Sequence, residues 1–274
     1  MPLTQRIKIV FYILSGIVLS LLASLSIYVI NNNIFLSILI GFLPFIVLGT
    51  WLAYIFYPKF DPSSSILFDN TKKLVALTFD DGPTSGFTED ILSILEQKKV
   101  LATFFVIAKK AYDNPELTLK ILKNGHELGA HTYTHKKLHT SNNETFYKEI
   151  NQSMFFIQSI YKKLDKEKDY KKIFRAPHGF KSIRLKRYLS NNNIALIPWT
   201  RGVWDTDSPG VEWIVTKATE KPRNNEILLL HDGKGMDNSI LKTQSLGLLQ
   251  ALPKVIDFYK NKGYTFIKVS DLVR

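Results

Sequence analysis

From Ile9 to Tyr57 the chain carries no charged side chain, and this stretch constrains the fold before anything else does. The uncharged triplet Asn31, Asn32, Asn33 divides it into two apolar runs, about 7–30 and 34–57, with Lys8 at the edge of the first. Each is long enough to cross a hydrocarbon layer of ~30 Å at ~1.5 Å per residue. A cleaved leader has a shorter apolar core, about 7–15 residues, ahead of a small-residue cleavage site, and neither run fits. The sequence therefore predicts a membrane anchor over 1–60 made of two transmembrane helices, and a multi-pass membrane location. Pro44 lies inside the second run, where a membrane helix tolerates a kink.

A linker over 61–73 leads to residues 74–274, enough chain for one substantial core. Arg6, Lys8 and Lys59 account for three of the twelve net positive charges, with no acid before Asp61, so the remainder is also basic. Nucleic acid is not an expected partner: no recognition motif is present, and lysines alternate with acids between Lys162 and Lys172. Phospholipid headgroups or an anionic wall polymer fit a basic surface beside two spans. The absence of cysteine excludes disulfides, a thiolate nucleophile and a Cys-ligated metal.

Beyond the linker, apolar β-type runs alternate with amphipathic helical patterns, the signature of an α/β domain with parallel strands. Strands are predicted at Leu74–Phe79, Ala102–Ile107, Glu127–Ala130, Ile173–Arg175, Ile194–Pro198, Glu226–Leu230 and Thr265–Val269. Helices are predicted at Thr88–Gln97, with Thr88 as N-cap, and at Pro115–Leu122, Glu144–Leu164, Ser182–Ser190, Val211–Ala218 and Leu246–Lys260. Asp80, Asp81, His131, Arg175, Asp205 and His231 all fall at or just beyond C-terminal strand ends, where β/α barrels build active sites. Phe104, Phe105, Phe155 and Phe156 are expected in the core, and His126 and His139 are expected to be structural.

The motif Thr78-Phe79-Asp80-Asp81-Gly82-Pro83 ends a buried strand with two carboxylates whose side chains diverge. One carboxylate can face a metal and the other a water, although a plain Asp-Gly-Pro turn reads equally well from this hexapeptide alone. In His131-Thr132-Tyr133-Thr134-His135 the imidazoles are four apart, which on a helical turn stacks them on one side. Such a pair alone is more often a solvated surface pair. With Asp81 it makes two histidines and one carboxylate, a recurrent catalytic metal set that leaves positions open.

Taken with Arg175-Ala176-Pro177-His178-Gly179, with Asp205-Thr206-Asp207 and with Leu229-Leu230-His231, these motifs resemble the NodB-like polysaccharide deacetylases, carbohydrate esterase family 4. The resemblance covers essentially all of Lys72 to Arg274. It implies an irregular barrel of β/α units in which Asp80 is the catalytic base and Asp81, His131 and His135 hold a divalent metal, usually zinc. It further implies His231 as general acid, Arg175 as the group that orients the base, the His178 N–H as an oxyanion donor, and Leu229 against the acetyl methyl. Two departures stand out: His178 replaces the family's usual tyrosine, and the fourth motif lacks its closing tryptophan. The carboxylate that tunes His231 is therefore Asp205, or alternatively Asp207.

The activity so implied is removal of N-acetyl groups from amino sugars of a cell-envelope glycan such as peptidoglycan or a chitin-like chain. Two alternatives remain open, a deacetylase or deformylase of a polyprenyl-linked sugar and a non-catalytic glycan-binding membrane protein. Arg6, Lys8 and Lys59 flank the predicted hairpin, so the positive-inside rule points the domain toward the cytoplasm. Wall glycans lie outside, and an extracytoplasmic domain is the expectation adopted.

Overall fold

The computed structural model describes residues 20–30, 34–56, 71–207, 210–237 and 242–272. The chain divides into two compact units, Met1–Ile55 and Phe56–Arg274.

In the first unit, helix α1 (20–30) and helix α2 (Ile34–Phe56) are joined by serine hydroxyls. Ser20 Oγ donates to the Gly41 carbonyl, and Ser24 Oγ donates to the Ser37 carbonyl at 2.6 Å. Ser20 and Ser37 are buried, whereas Leu21, Leu25, Val29, Phe35, Ile38 and Phe42 are exposed. Polar groups thus fill the seam and large apolar ones face outward. Side chains of α2 are described only over 34–38, 41–42, 45–46 and 48–50. Among the described residues no helix is long and apolar enough to cross a membrane. The two spans expected from the sequence are therefore not shown. Most of the first expected span, and the linker up to Asn70, lie outside the described residues.

The second unit carries strands β1 (Leu74–Asp80), β2 (Ala102–Val106), β3 (Glu127–Ala130), β4 (Ile173–Phe174), β5 (Ala195–Leu196), β6 (Arg201–Gly202), β7 (Glu226–His231) and β8 (Thr265–Phe266). Helices α3 (Phe87–Gln97), α4 (Ala108–Asp113), α5 (Pro115–Lys123), α6 (Asn143–Lys163), α7 (Ile183–Asn191), α8 (Val211–Thr219) and α9 (Lys242–Asn261) connect them. The sheet runs β5-β4-β3-β2-β1-β7-β6, with β8 also pairing β1, and every pairing is parallel. This is an α/β unit built on one parallel sheet, in line with the alternation of strand and helix patterns in the sequence.

Local signals account for most element ends. Pro115 opens α5, the Asn142 side chain accepts from Thr145 N at the start of α6, and Ser182 accepts from Leu185 N at the start of α7. Thr88 does not cap α3, which starts one residue earlier, behind Gly86. Its hydroxyl is buried instead, accepting from Thr84 N and donating to Asp232. Strands β4 and β5 are two residues each, shorter than predicted, and the short elements β6 and α4 carry too little pattern to be predicted at all.

The two faces of β1 explain where the site falls. Val75, Leu77 and Phe79 join the larger hydrophobic cluster, beneath the helices. Ala76 belongs to the smaller one, with Phe105, Ile173, Ile197 and Ile227, so the period of two puts Thr78 and Asp80 on that inner face as well. A Cβ on Gly129 would lie 2.6 Å from the Phe105 ring, so glycine there lets the ring fill the interior. Phe155 is 74% exposed, contrary to its expected core position: on α6 it points away from buried Met154 and Ile157. His126 is buried, and its Nδ1 accepts from Ala102 N. His139 packs on the Phe180 ring.

Candidate active site

Asp80, the last residue of β1, lies in register with His231, the last of β7. Both reach the same end of the sheet. Arg175, just past β4, is fully buried, and its Nη1 donates to Asp80 Oδ1 at 2.8 Å and to Thr78 Oγ1 at 2.7 Å. Its Nε and Nη2 donate to the carbonyls of Ile197 and Pro198, and the guanidinium lies 4.1 Å from the Phe105 ring centre. Four acceptors and an aromatic face fix one orientation. Asp80 is thereby aimed, with Oδ2 turned toward His131 Nε2 at 3.8 Å.

Asp81 follows with φ 72°, in the left-handed region, and this reverses its side chain relative to Asp80. Its Oδ2 accepts from Gly235 N at 2.8 Å. Its Oδ1 is buried without a hydrogen bond, 3.3 Å from His131 Nε2 and 3.0 Å from His135 Nε2. His131 Nδ1 faces the Arg175 carbonyl at 2.9 Å, which requires the proton on Nδ1 and leaves the lone pair on Nε2. One carboxylate oxygen and two imidazole nitrogens, all within 4.8 Å of one another, thus converge, and the set suits a divalent metal.

The two histidines are not on a helical turn. Residues 131–135 form an irregular loop in which Thr132 (φ 65°) and His135 (φ 59°) are left-handed, and these reversals bring the rings to 5.0 Å. Glu149 on α6 anchors the loop from behind: its carboxylate accepts from Thr134 N at 2.7 Å and from the Thr134 hydroxyl.

His231 Nδ1 lies 2.9 Å from Asp205 Oδ1, and His231 N donates to Asp205 Oδ2 at 2.8 Å. Asp205, not Asp207, is thus the carboxylate on His231. Burial alone would lower the His231 pKa, but Asp205 outweighs it and the imidazole is pushed up to about 9. The His231 ring is protonated at neutral pH. Leu229, on the inner face of β7, is largely buried. His178 is exposed with φ 58°, its ring 4.8 Å from that of His135. Trp199 packs against the smaller hydrophobic cluster, while Trp204 is 64% exposed.

Sequence reasoning missed Glu149, Gly235 and Asp232. Asp232 is fully buried beside Thr88, and burial raises its pKa to about 7. Only Asp232 left a signal, as an acid directly after His231.

A buried acid held by arginine, a convergent set of potential metal ligands and a histidine paired with a carboxylate, at one end of a parallel sheet, have the composition of a metal-assisted hydrolase site. The family pattern described as Polysaccharide deacetylase matches residues 69–197. The chain is 33% identical over 224 residues to the peptidoglycan-N-acetylglucosamine deacetylase of Bacillus cereus, covering 79% of this chain and 96% of that protein. It is 34% identical over 159 residues to the chitooligosaccharide deacetylase of Sinorhizobium fredii, covering 58% of this chain and 72% of that one.

Among solved structures, a peptidoglycan N-acetylglucosamine deacetylase in complex with a naphthalenyl N-oxidanyl-benzamide superposes with TM-score 0.68 at 25% identity, over 77% of this chain and 92% of that chain. A family pseudoenzyme from Bacillus anthracis shares the fold, with TM-score 0.64 at 21% identity over 75% of this chain and 66% of that one, so fold alone does not carry catalysis. The chain belongs to the polysaccharide deacetylase family, hydrolases that act on carbon–nitrogen bonds.

Proposed function

We propose that the chain removes the N-acetyl group from N-acetylglucosamine residues of a cell-envelope glycan, with peptidoglycan as the first substrate class. One observation carries the reading: the bare Asp81 Oδ1 between two imidazole nitrogens stands beside an arginine-held Asp80. An amide is a weak electrophile with a poor leaving group, so hydrolysis needs a base, an oxyanion site and an acid. Asp80, with Oδ1 tied to Arg175, keeps Oδ2 to take the proton of the attacking water. The His178 N–H helps to hold the oxyanion, and Leu229 borders the acetyl methyl. His231, its Nδ1 tied to Asp205, keeps Nε2 to protonate the departing amine. A zinc ion held by Asp81, His131 and His135 would supply Lewis-acid polarisation of the carbonyl and of water.

The α1–α2 hairpin is, on this reading, a membrane anchor, with the catalytic unit outside the cell. The support is the sequence, whose run over 34–57 carries no charged side chain. Outward apolar side chains around a serine seam are the arrangement lipid favours. A sugar on a polyprenyl carrier is the second reading, favoured by the same hairpin, which would tether catalysis at a membrane.

Acetate release from peptidoglycan fragments, chitin oligomers and a polyprenyl-linked amino sugar, each offered to the zinc-loaded protein, tests the function. Release from the first supports the main reading. Release from none of the three would leave a glycan-binding relic.

A further inference from the structure

Lys110 is a buried lysine that the mechanism does not use. It lies on the short helix α4, 3% exposed, beside Lys109, which forms an ordinary surface pair with Asp113 at 2.6 Å. Lys110 points inward instead. Its Nζ donates to the Asp81 carbonyl at 2.9 Å and to the Gly235 carbonyl at 3.1 Å, with Thr84 Oγ1 at 3.4 Å. Burying an ammonium is unfavourable unless its hydrogen bonds are all made, so these acceptors are the reason the side chain can lie there.

The two strong acceptors are joined to each other. Gly235 N donates to Asp81 Oδ2, so Lys110, the Asp81 main chain, the Asp81 carboxylate and the Gly235 peptide close a ring. Three things follow from that ring. It holds Asp81 in a left-handed conformation that a non-glycine residue rarely adopts. It pins the loop after β7, from which Gly235 comes, to the loop after β1. It also occupies Oδ2, leaving Oδ1 as the oxygen that faces His131 and His135.

We infer that Lys110 is a positioning residue for the metal centre, a clamp behind Asp81 that decides which carboxylate oxygen faces the ion and where. This rests on the reading of Asp81, His131 and His135 as a metal set. Groups behind a ligand typically change metal affinity by about 10- to 100-fold when removed.

The test uses the full chain in detergent micelles, titrated with zinc against a chelator, and with cobalt(II) to record its visible ligand-field bands. Lys110→Met keeps an unbranched stem, one atom shorter, and removes the ammonium. It is expected to raise the zinc Kd about 10- to 100-fold and to shift the cobalt bands while far-ultraviolet circular dichroism is kept. Lys109→Met, on the surface pair, is expected to change neither. A folded Lys110→Met protein with parental zinc affinity and parental cobalt bands overturns the clamp. Should that variant not fold, Lys110→Gln is measured in its place, and parental affinity in it overturns the clamp equally. Loss of fold in both variants would make Lys110 a residue of the fold as a whole, which also overturns the assignment. A parent protein that binds no zinc would sink the metal reading itself, and the clamp with it.

Discussion

At the scale of single residues, the proposed chemistry divides proton transfer between two groups, each held from behind. Arg175 holds Asp80, the proposed base, and Asp205 holds His231, the proposed acid. Asp80→Asn retains the shape and the arginine contact but cannot take a proton. It is expected to cut kcat for acetate release by about 100-fold or more while leaving zinc affinity within a few-fold, measured by acetate assay and chelator competition. The His231 prediction concerns pH. Its pKa is raised to about 9 from 6.5, so the acid form is present at neutral pH and is lost as pH rises through about 9. A kcat–pH profile should therefore fall on the alkaline side near that value. In Asp205→Asn burial still lowers the pKa while only the more distant Asp81 and Asp80 raise it, so the falling limb should move to lower pH, and an unmoved limb would remove His231 from the acid's role. The residues that carry this chemistry were legible because polar groups at the ends of apolar strands stand out. Asp205 and Asp207 could not be separated from sequence, since two residues along a turn decide which one meets His231. Glu149 and Lys110 were illegible for a different reason: charged residues on helices read as solvated faces, and only the tertiary structure turns these two inward.

At the scale of elements, the site depends on loops that strands deliver and helices brace. Glu149 on α6 takes both the N–H and the hydroxyl of Thr134, in the middle of the loop that bears His131 and His135. Glu149→Ala should leave α6 folded yet loosen that loop, raising the zinc Kd about tenfold with a smaller effect on urea unfolding of the metal-free protein. The turn after β7 gives a sharper case. A Cβ on Gly233 would lie 2.0 Å from the Asp81 carbonyl, which is backbone and cannot step aside. Gly233→Ala is expected to cost about 1–3 kcal/mol of stability, read from urea midpoints, and to lower zinc affinity because it displaces the ligand's own main chain. Clearly patterned elements, the apolar strands β1 and β7 and the amphipathic helix α6, are predictable within a residue or two. Strand β5 is shorter than the expected Ile194–Pro198 because a five-residue apolar run does not show where pairing stops, β4 ends one residue before Arg175, and β6 has no apolar pattern at all. The spacing of His131 and His135 suggested a helical turn. The proximity is real, but two left-handed residues produce it.

At the scale of the molecule, the first unit inverts the rule that the second obeys. In the second unit Leu77, Phe79, Phe104 and Leu228 are fully buried, while in the first Leu25, Val29, Phe35 and Phe42 are 60% exposed or more and serines occupy the seam. Water penalises that first arrangement. Exposed apolar area contributes roughly 25 cal/mol per Å² when it is removed from water, so a pair of helices clothed in leucine and phenylalanine is driven toward lipid or toward another apolar surface. In lipid the serine hydroxyls gain little by facing outward and much by reaching the carbonyls of Ser37 and Gly41. The full chain, produced in bacterial cells, should therefore sediment with membranes and stay there through alkaline carbonate washing, which strips proteins held by charge alone. Sidedness follows from the same experiment with one addition. Because the chain has no cysteine, a single cysteine placed at Asn32 or at the C-terminus has no background. If the catalytic unit faces the wall glycan, an impermeant thiol reagent labels the C-terminal probe in intact cells and reaches the Asn32 probe only after lysis. The reverse pattern would put catalysis in the cytoplasm, where a sugar still attached to its lipid carrier, and not finished peptidoglycan, is the amide within reach.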